Sequence, residues 1–217
     1  MIITIDGPAG SGKSTIAKQL AKRLNILHFN SGSLFRGIAA YLRHVKFNFS
    51  NLTPDTKFND ISLEVKYLNN EQHVFINGND FFSELRDNEI SKLSPLVGEN
   101  IELRSIIDKC QRDFCSKHDI LIEGRDVGTY VFPNAEHKIY LDCSLEVRAK
   151  RRFLQEQEKG SLITLEQIKS EIKARDDFDK NKKIVPFVIP KNAIVIDSSN
   201  LSIDETIDKI IEKIKNQ

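Results

Sequence analysis

The chain has 217 residues, of which 40% are hydrophobic and 29% charged, with a formal net charge of +1. That composition describes a soluble globular domain with room for a real core, or one such domain carrying a substantial insertion. Near-neutrality excludes a broad nucleic-acid footprint but leaves room for a local cationic pocket. No apolar run approaches membrane-spanning length. Cys110, Cys115 and Cys143 lack metal-ligand spacing, and their odd number fits reduced thiols in helices and strands of the core.

The first element is "MIITI", a β-branched run that reads as a buried parallel strand. It leads into "GPAGSGKST", which meets G-x-x-x-x-G-K-[ST] with Gly7, Gly12, Lys13 and Ser14. In such a loop, backbone N–H groups curl around phosphate oxygens, the lysine reaches the outer phosphates, and the hydroxyl ligates magnesium. A helix with Ile16, Leu20 and Leu24 on one stripe follows, so its positive end would face the triphosphate. Asp6 is expected to pair with loop amides or with Lys13, with direct catalysis as the other reading. The loop's start at residue 7 leaves no room for a secretory leader, so a cytoplasmic location is expected.

"ILHF" reads as a second strand, and a helix from "NSGSLFR" to about residue 44 carries Leu34, Ile38 and Leu42. A polar loop is expected at about 48–60. The period then falls to two through Ile61, Leu63, Val65 and Tyr67; "NNEQ" turns, and "HVFI" meets Asn77-Gly78, a hairpin signal. This predicts a small antiparallel meander, either a structural flap or a clamp over substrate. Helical spacing returns at Leu103, Ile106, Ile107, Cys110 and Phe114, followed by strands at "ILIEG" and "HKIYLD". Helices are predicted from about 145 and over about 164–180, with a loop near Gly160, then strand "AIVI" and a terminal helix. Strands separated by helices make an α/β fold with a five-stranded parallel sheet, whose ligands bind at the carboxyl strand ends.

Charged residues point to that edge: Arg36 after the second strand, Arg125 and Asp126 after "LIEG", Arg148, Arg151 and Arg152 on one helix, Arg175 in "RDDFDKNK". Arginine's planar fork pairs bidentately with phosphate, so this supply suits a second polyanion beside the triphosphate. A phosphate acceptor is already a nucleophile, and the protein need only offset repulsion and align the two anions. Singly, each has a plainer reading. Arg175 and Asp179 could be a surface ion pair, Arg148 and Arg152 solvated helix surface, and Arg125-Asp126 a strand-end turn.

The segments "IDGPAGSGKST", "SGSLFR", "ELR", "EGRDVGTYVFP", "KIYLD", "RAKRR", "RDDFDKN" and "IDSSNLSIDE" give the chain a nearly end-to-end resemblance to the bacterial cytidylate kinases. These are the (d)CMP kinases among the P-loop nucleoside monophosphate kinases, and bacterial members carry an extended NMP-binding region where the meander lies. The resemblance implies a P-loop kinase fold with core 1–35 and 100–217, an NMP-binding region at about 36–99, and a short lid at about 150–163. It implies an ATP site at Gly7, Pro8, Ala9, Gly10, Ser11, Gly12, Lys13, Ser14 and Thr15 with Arg148, and catalytic charge from Lys13 and Arg152. Magnesium would come with ATP and be held by Ser14. CMP or dCMP would meet Ser31 and Arg36 in the NMP site, with Arg104 and Asp126 reading cytosine. Arg125 would hold its phosphate, Arg175 and Asp179 its sugar, and Lys182 stands where a phosphate-binding arginine is usual. Asn30 replaces the usual Asp, and Pro95 replaces a base-reading serine, with Ser94 beside it. A monomer acting on the small molecules ATP and CMP or dCMP, without nucleic acid or membrane, is expected.

Cytosine's N4 amine beside its N3 and O2 acceptors is complementary to a carboxylate with an arginine. Kinases of another nucleotide, or of an acceptor like shikimate or gluconate, are the near alternative. A nucleotide-binding switch with no acceptor is the distant one, and no N-K-x-D motif supports it.

Overall fold

The computed structural model describes residues 1–58 and 60–216; Asn59, within the loop expected at 48–60, and Gln217 lie outside the described residues. The chain divides into two compact units, one of Met1–His28 with Asp119–Gln217 and one of Phe29–His118.

The first unit is built on strands β1 (Ile2–Asp6), β6 (Ile120–Gly124), β7 (His137–Asp142) and β8 (Ile194–Asp197). With β2 (Leu27–Asn30), which crosses the division between units, they form the expected five-stranded sheet in the order β2-β6-β1-β7-β8. The pairs β1–β6, β1–β7 and β7–β8 are parallel. Ile3, Ile5, Leu121, Ile139, Leu141 and Ile196 are buried against Ile16, Ala17 and Leu20 of α1 (Lys13–Leu24) and Ile207 and Ile210 of α7 (Ile203–Lys215). Runs that are apolar on both sides were therefore rightly read as covered strands. A smaller cluster packs α5 (Leu145–Glu158) against α6 (Leu165–Lys180) through Ala149, Ile168 and Ile172, and it includes Ala9 of the phosphate loop. Core packing thus reaches directly under the loop.

The second unit holds the antiparallel sheet β3 (Leu63–Leu68), β4 (Glu71–Ile76) and β5 (Asn79–Asp80). Its first turn is shorter than "NNEQ": Asn69 and Asn70 alone take positive φ, while Glu71 and Gln72 already pair with Leu68 and Tyr67. Asparagine tolerates that left-handed backbone, so two residues suffice. The second turn is the Asn77-Gly78 hairpin, again with positive φ at both residues. The sheet packs on α2 (Ser31–His44) so closely that a Cβ at Gly37 would lie 2.6 Å from Val74.

Two helices complete this unit, α3 (Asn88–Val97), which the periodicity did not reveal, and α4 (Ile101–Cys115). Pro95 sits inside α3 and cannot supply the N–H that would bond the Ser91 carbonyl. The Ser94 hydroxyl donates to that carbonyl instead, at 3.1 Å.

Candidate active site

The loop between β1 and α1 needs two unusual glycines. At Gly7 a Cβ would lie 2.2 Å from the Leu141 carbonyl oxygen, and Gly12 opens α1 with φ of 89°. Lys13 folds back over the loop, donating to Pro8 O at 2.7 Å and lying 3.4 Å from Ser11 Oγ. Burial pulls its pKa well down, and the like charge of Arg125 adds to that.

Ser14 Oγ donates to Glu123 Oε2 at 2.7 Å, and the other carboxylate oxygen lies 3.0 Å from His28 Nε2. A hydroxyl beside a buried carboxylate is a hard-oxygen donor pair, which fits magnesium carried in by phosphates. Among the described residues, no group of three His, Cys, Asp or Glu is gathered to hold a metal by itself.

Asp6 accepts hydrogen bonds from Val127 N at 3.0 Å and Gly128 N at 2.7 Å. Loop amides were expected; these belong to the π-helical turn Val127–Val131 that follows Asp126, not to the phosphate loop. Burial pushes the Asp6 carboxyl up to about 7, and the Asp126 charge adds to the rise.

Three of the cations that the resemblance matches to CMP, Arg125, Arg175 and Lys182, share a single anion. Asp179, 1% exposed, lies 3.3 Å from Arg125 Nε, 3.3 Å from Arg175 Nε and 3.0 Å from Lys182 Nζ. The i,i+4 pair of Arg175 and Asp179 is therefore no surface pair. Burial alone would raise the Asp179 pKa, but Arg125, Lys182 and Arg175 together hold it below the ordinary carboxylate value. Arg125 also donates to Gly7 O at 2.6 Å, which ties this cluster to the phosphate loop.

The three arginines named on α5 part company. Arg148 is buried, donating from Nε to Cys143 O and from Nη1 to Ala9 O and Asp176, the last at 2.6 Å. Asp176 in turn accepts from Ala9 N at 3.0 Å. Arg152 is half exposed, with Glu171 4.0 Å away. Arg151, given no role from the resemblance, donates to Ser198 O at 2.8 Å.

In the second unit, Asn30 caps α2, accepting from Ser33 N, and its side-chain oxygen lies 3.4 Å from Arg36 Nη2. Gln72 of the meander grips the Asn30 backbone at both ends, accepting from its N–H at 2.7 Å and donating to its carbonyl at 3.2 Å. The meander therefore braces the start of the helix that carries Ser31 and Arg36. Ser31 and Arg104 are both buried, the latter with its guanidinium carbon 5.7 Å from the Phe35 ring centre.

Sequence reasoning assigned no role to Asp176, Glu123, His28, Gln72, Asp108 or Gln111. Glu123 left a signal, a carboxylate closing an apolar strand that ends beside a phosphate loop. Gln72 left none, because its partners are backbone atoms.

Residues 3–216 match the cytidylate kinase family model. The chain is 37% identical to a cytidylate kinase of Caldicellulosiruptor bescii, covering 97% of this chain and 93% of that one. It is 38% identical to those of Thermosipho melanesiensis and Clostridium botulinum, covering 99% and 98% of this chain and 97% of each relative. A shikimate kinase from Bacteroides thetaiotaomicron has a similar structure, with a TM-score of 0.53 at 11% identity, covering 99% of this chain and 98% of that one. A protein from Thermus thermophilus gives 0.51 at 14%, covering 100% and 96%; both likenesses concern the fold alone. The chain belongs to the cytidylate kinase family.

Proposed function

We propose that this protein transfers the γ-phosphoryl group of MgATP to CMP or dCMP, giving ADP and the nucleoside diphosphate. The observation that carries the reading is Arg125, which bonds the phosphate-loop carbonyl of Gly7 and also faces Asp179. One guanidinium thus joins a triphosphate loop to a cluster of cations suited to a second phosphate. The relatives named cytidylate kinase supply the acceptor's identity.

In this reading, residues 7–15 take the ATP phosphates, Arg148 braces the loop or meets the nucleotide, and Lys13 and Arg152 stabilise charge on the phosphoryl group in flight. Arg125, Asp126, Arg175, Asp179 and Lys182 of the first unit take CMP, as do Ser31, Arg36 and Arg104 of the second. The NMP-binding region of about 36–99 then falls within the unit of residues 29–118, and residues of about 150–163 form a lid. Ser14, with Glu123 beside it, would hold magnesium bound with ATP, which would supply neutralisation of phosphate charge. Everything else is electrostatic: fixed donors meet charge where it develops, with no reorganisation during reaction. We further infer a monomeric, cytoplasmic enzyme of pyrimidine nucleotide metabolism. Among the described residues no helix is long and apolar enough to cross a membrane.

The test is kcat/KM over a panel of CMP, dCMP, UMP, AMP, shikimate and gluconate with MgATP. CMP or dCMP should lead by at least about tenfold, the scale of one mispaired polar group. Leadership by any other acceptor, or ATP hydrolysis with none, would overturn the proposal.

A further inference from the structure

Helix α4 buries an unusual stripe. Arg104, Asp108 and Gln111 fall at i, i+4 and i+7, one face of a helix, and all three are buried. Gln111 Oε1 accepts from Ser31 Oγ at 2.7 Å, Gln111 Nε2 donates to Asp108 Oδ1 at 3.0 Å, and Asp108 Oδ2 lies 3.6 Å from Arg104 Nε. The guanidinium also lies over the Phe35 ring, its carbon 5.7 Å from the ring centre. A continuous line of buried polar groups therefore runs from the first residue of α2 to the arginine matched to base recognition.

Such a line is a poor way to stabilise a helix. Burying an ion pair and an amide costs desolvation that an aliphatic stripe would avoid, and aliphatic replacements of buried ion pairs are often neutral or stabilising. What the line does provide is orientation. The carboxylate, held from behind by Gln111, gives the guanidinium a fixed counter-charge, and the nearby Phe35 ring restricts the space in which it can turn.

We propose that Asp108 and Gln111 are positioning residues for base selection: the Ser31–Gln111–Asp108 line fixes the plane of the Arg104 guanidinium and thereby sets the preference for cytosine over uracil. The proposal rests on the reading that Arg104 meets the base. Cytosine presents acceptors at N3 and O2, whereas uracil carries a proton on N3. A fixed guanidinium opposes that N–H donor to donor and rejects uracil. A loosened one can turn to a carbonyl oxygen of either base, so loosening erodes selectivity as well as affinity.

The experiment compares Asp108→Asn, which keeps volume and the acceptor for Gln111, and Gln111→Leu, which cuts the line at Ser31. For Asp108→Asn, the ratio of kcat/KM for CMP to that for UMP should fall roughly tenfold, chiefly through a higher KM for CMP. The kcat on CMP should stay within about twofold and the KM for ATP should not move, since base contacts far from the reacting phosphorus act alike on ground and transition states. Gln111→Leu should move the ratio in the same direction by a smaller factor, and it carries the test if Asp108→Asn does not fold. In an Arg104→Met background, Asp108→Asn should leave the ratio where Arg104→Met alone puts it.

Different failures are distinguishable. If Arg104→Met leaves the ratio of CMP to UMP intact, the base-reading role of Arg104 is wrong. If Arg104→Met shifts it while Asp108→Asn and Gln111→Leu do not, the positioning line is wrong. A lower melting temperature with equal losses on CMP and UMP makes the stripe scaffolding only, which also overturns the proposal.

Discussion

Asp6 and Asp179 are both buried carboxylates of the same unit, and they titrate in opposite directions. Asp6 ends β1 and receives two backbone N–H groups, and among the described residues no cation is hydrogen-bonded to it. Burial dominates there, and its carboxyl rises to about 7. Asp179, near the end of α6, has Arg125, Arg175 and Lys182 within 3.3 Å, and these overcome the burial that would raise it. Burial by itself therefore says nothing about charge; the number of facing cations decides it. One carboxylate is a neutral-prone peg holding the turn at 127–131. The other is held anionic by the three cations gathered around it.

Lys13 is the severest probe of this contrast, because it feels both carboxylates and is still pulled down by burial and by Arg125. Lys13→Ala should lower kcat by about a thousandfold or more, the upper scale for losing one preorganised donor to a developing anion. Thermal unfolding should barely change. A folded variant with near-normal turnover would remove the lysine from the chemistry.

Asp179→Asn keeps the volume and deletes the shared anion, leaving three cations facing one another. Breaking a buried pair in this way costs about 3–5 kcal/mol. Added inorganic phosphate should restore stability to the variant more than it adds to wild type, because it replaces the missing charge. A loss under about 1 kcal/mol, unchanged by phosphate, would show that the three cations do not depend on Asp179.

The Asp6 side of the contrast is visible in pH. Its folded pKa lies above that of the unfolded chain, so between about pH 4 and 7 the native state holds more protons than the unfolded state. Stability must then fall as pH rises through that window. Asp179, with its pKa depressed, contributes the opposite slope, its stabilisation being lost as pH falls below the ordinary carboxylate range. In denaturant unfolding at pH 5 and pH 8, the Asp6 contribution should weaken by about 2–3 kcal/mol relative to Asp6→Asn. Parallel pH dependence in the two proteins would mean that Asp6 is ionised throughout.

The sequence exposed the skeleton of this contrast but not its wiring. Apolar runs such as "MIITI" and "HKIYLD", four-residue helical spacing and Asn77-Gly78 suffice for the sheets and most helices, because each encodes its burial locally. Helix α3 escaped because Pro95 interrupts its ten residues, and the Ser94 hydroxyl that repairs the break has no sequence signature. The phosphate loop was legible as a motif, and Arg125, Arg175 and Asp179 as charges near one sheet edge. That one carboxylate gathers those charges was not legible, nor that Arg148 spends its donors on the carbonyls of Ala9 and Cys143. Backbone oxygens are identical at every position, so a pattern of side chains cannot announce them.

Lys182 gives the finest adjustment of the Asp179 cluster. It is not the solvated surface residue that its place after α6 allows: its side chain is 9% exposed, with Nζ 3.0 Å from Asp179 Oδ1 and 5.8 Å from the Phe178 ring centre. An ammonium is a compact point charge, and the N–H groups left after bonding Asp179 form no planar fork to match phosphate. A guanidinium has five donors in a planar fork and can face a carboxylate and a phosphate together. Lys182→Arg should therefore lower the KM for CMP by a few-fold, with kcat and the KM for ATP unchanged, since a point-charge contact is replaced by a bidentate one. Lys182→Ala should raise the KM for CMP and loosen Asp179 only partly, because Arg125 and Arg175 still face it. Initial-rate measurements at saturating ATP separate these outcomes. If both variants keep the wild-type KM for CMP, Lys182 serves Asp179 alone, and the phosphate-facing cations of this unit reduce to its two arginines.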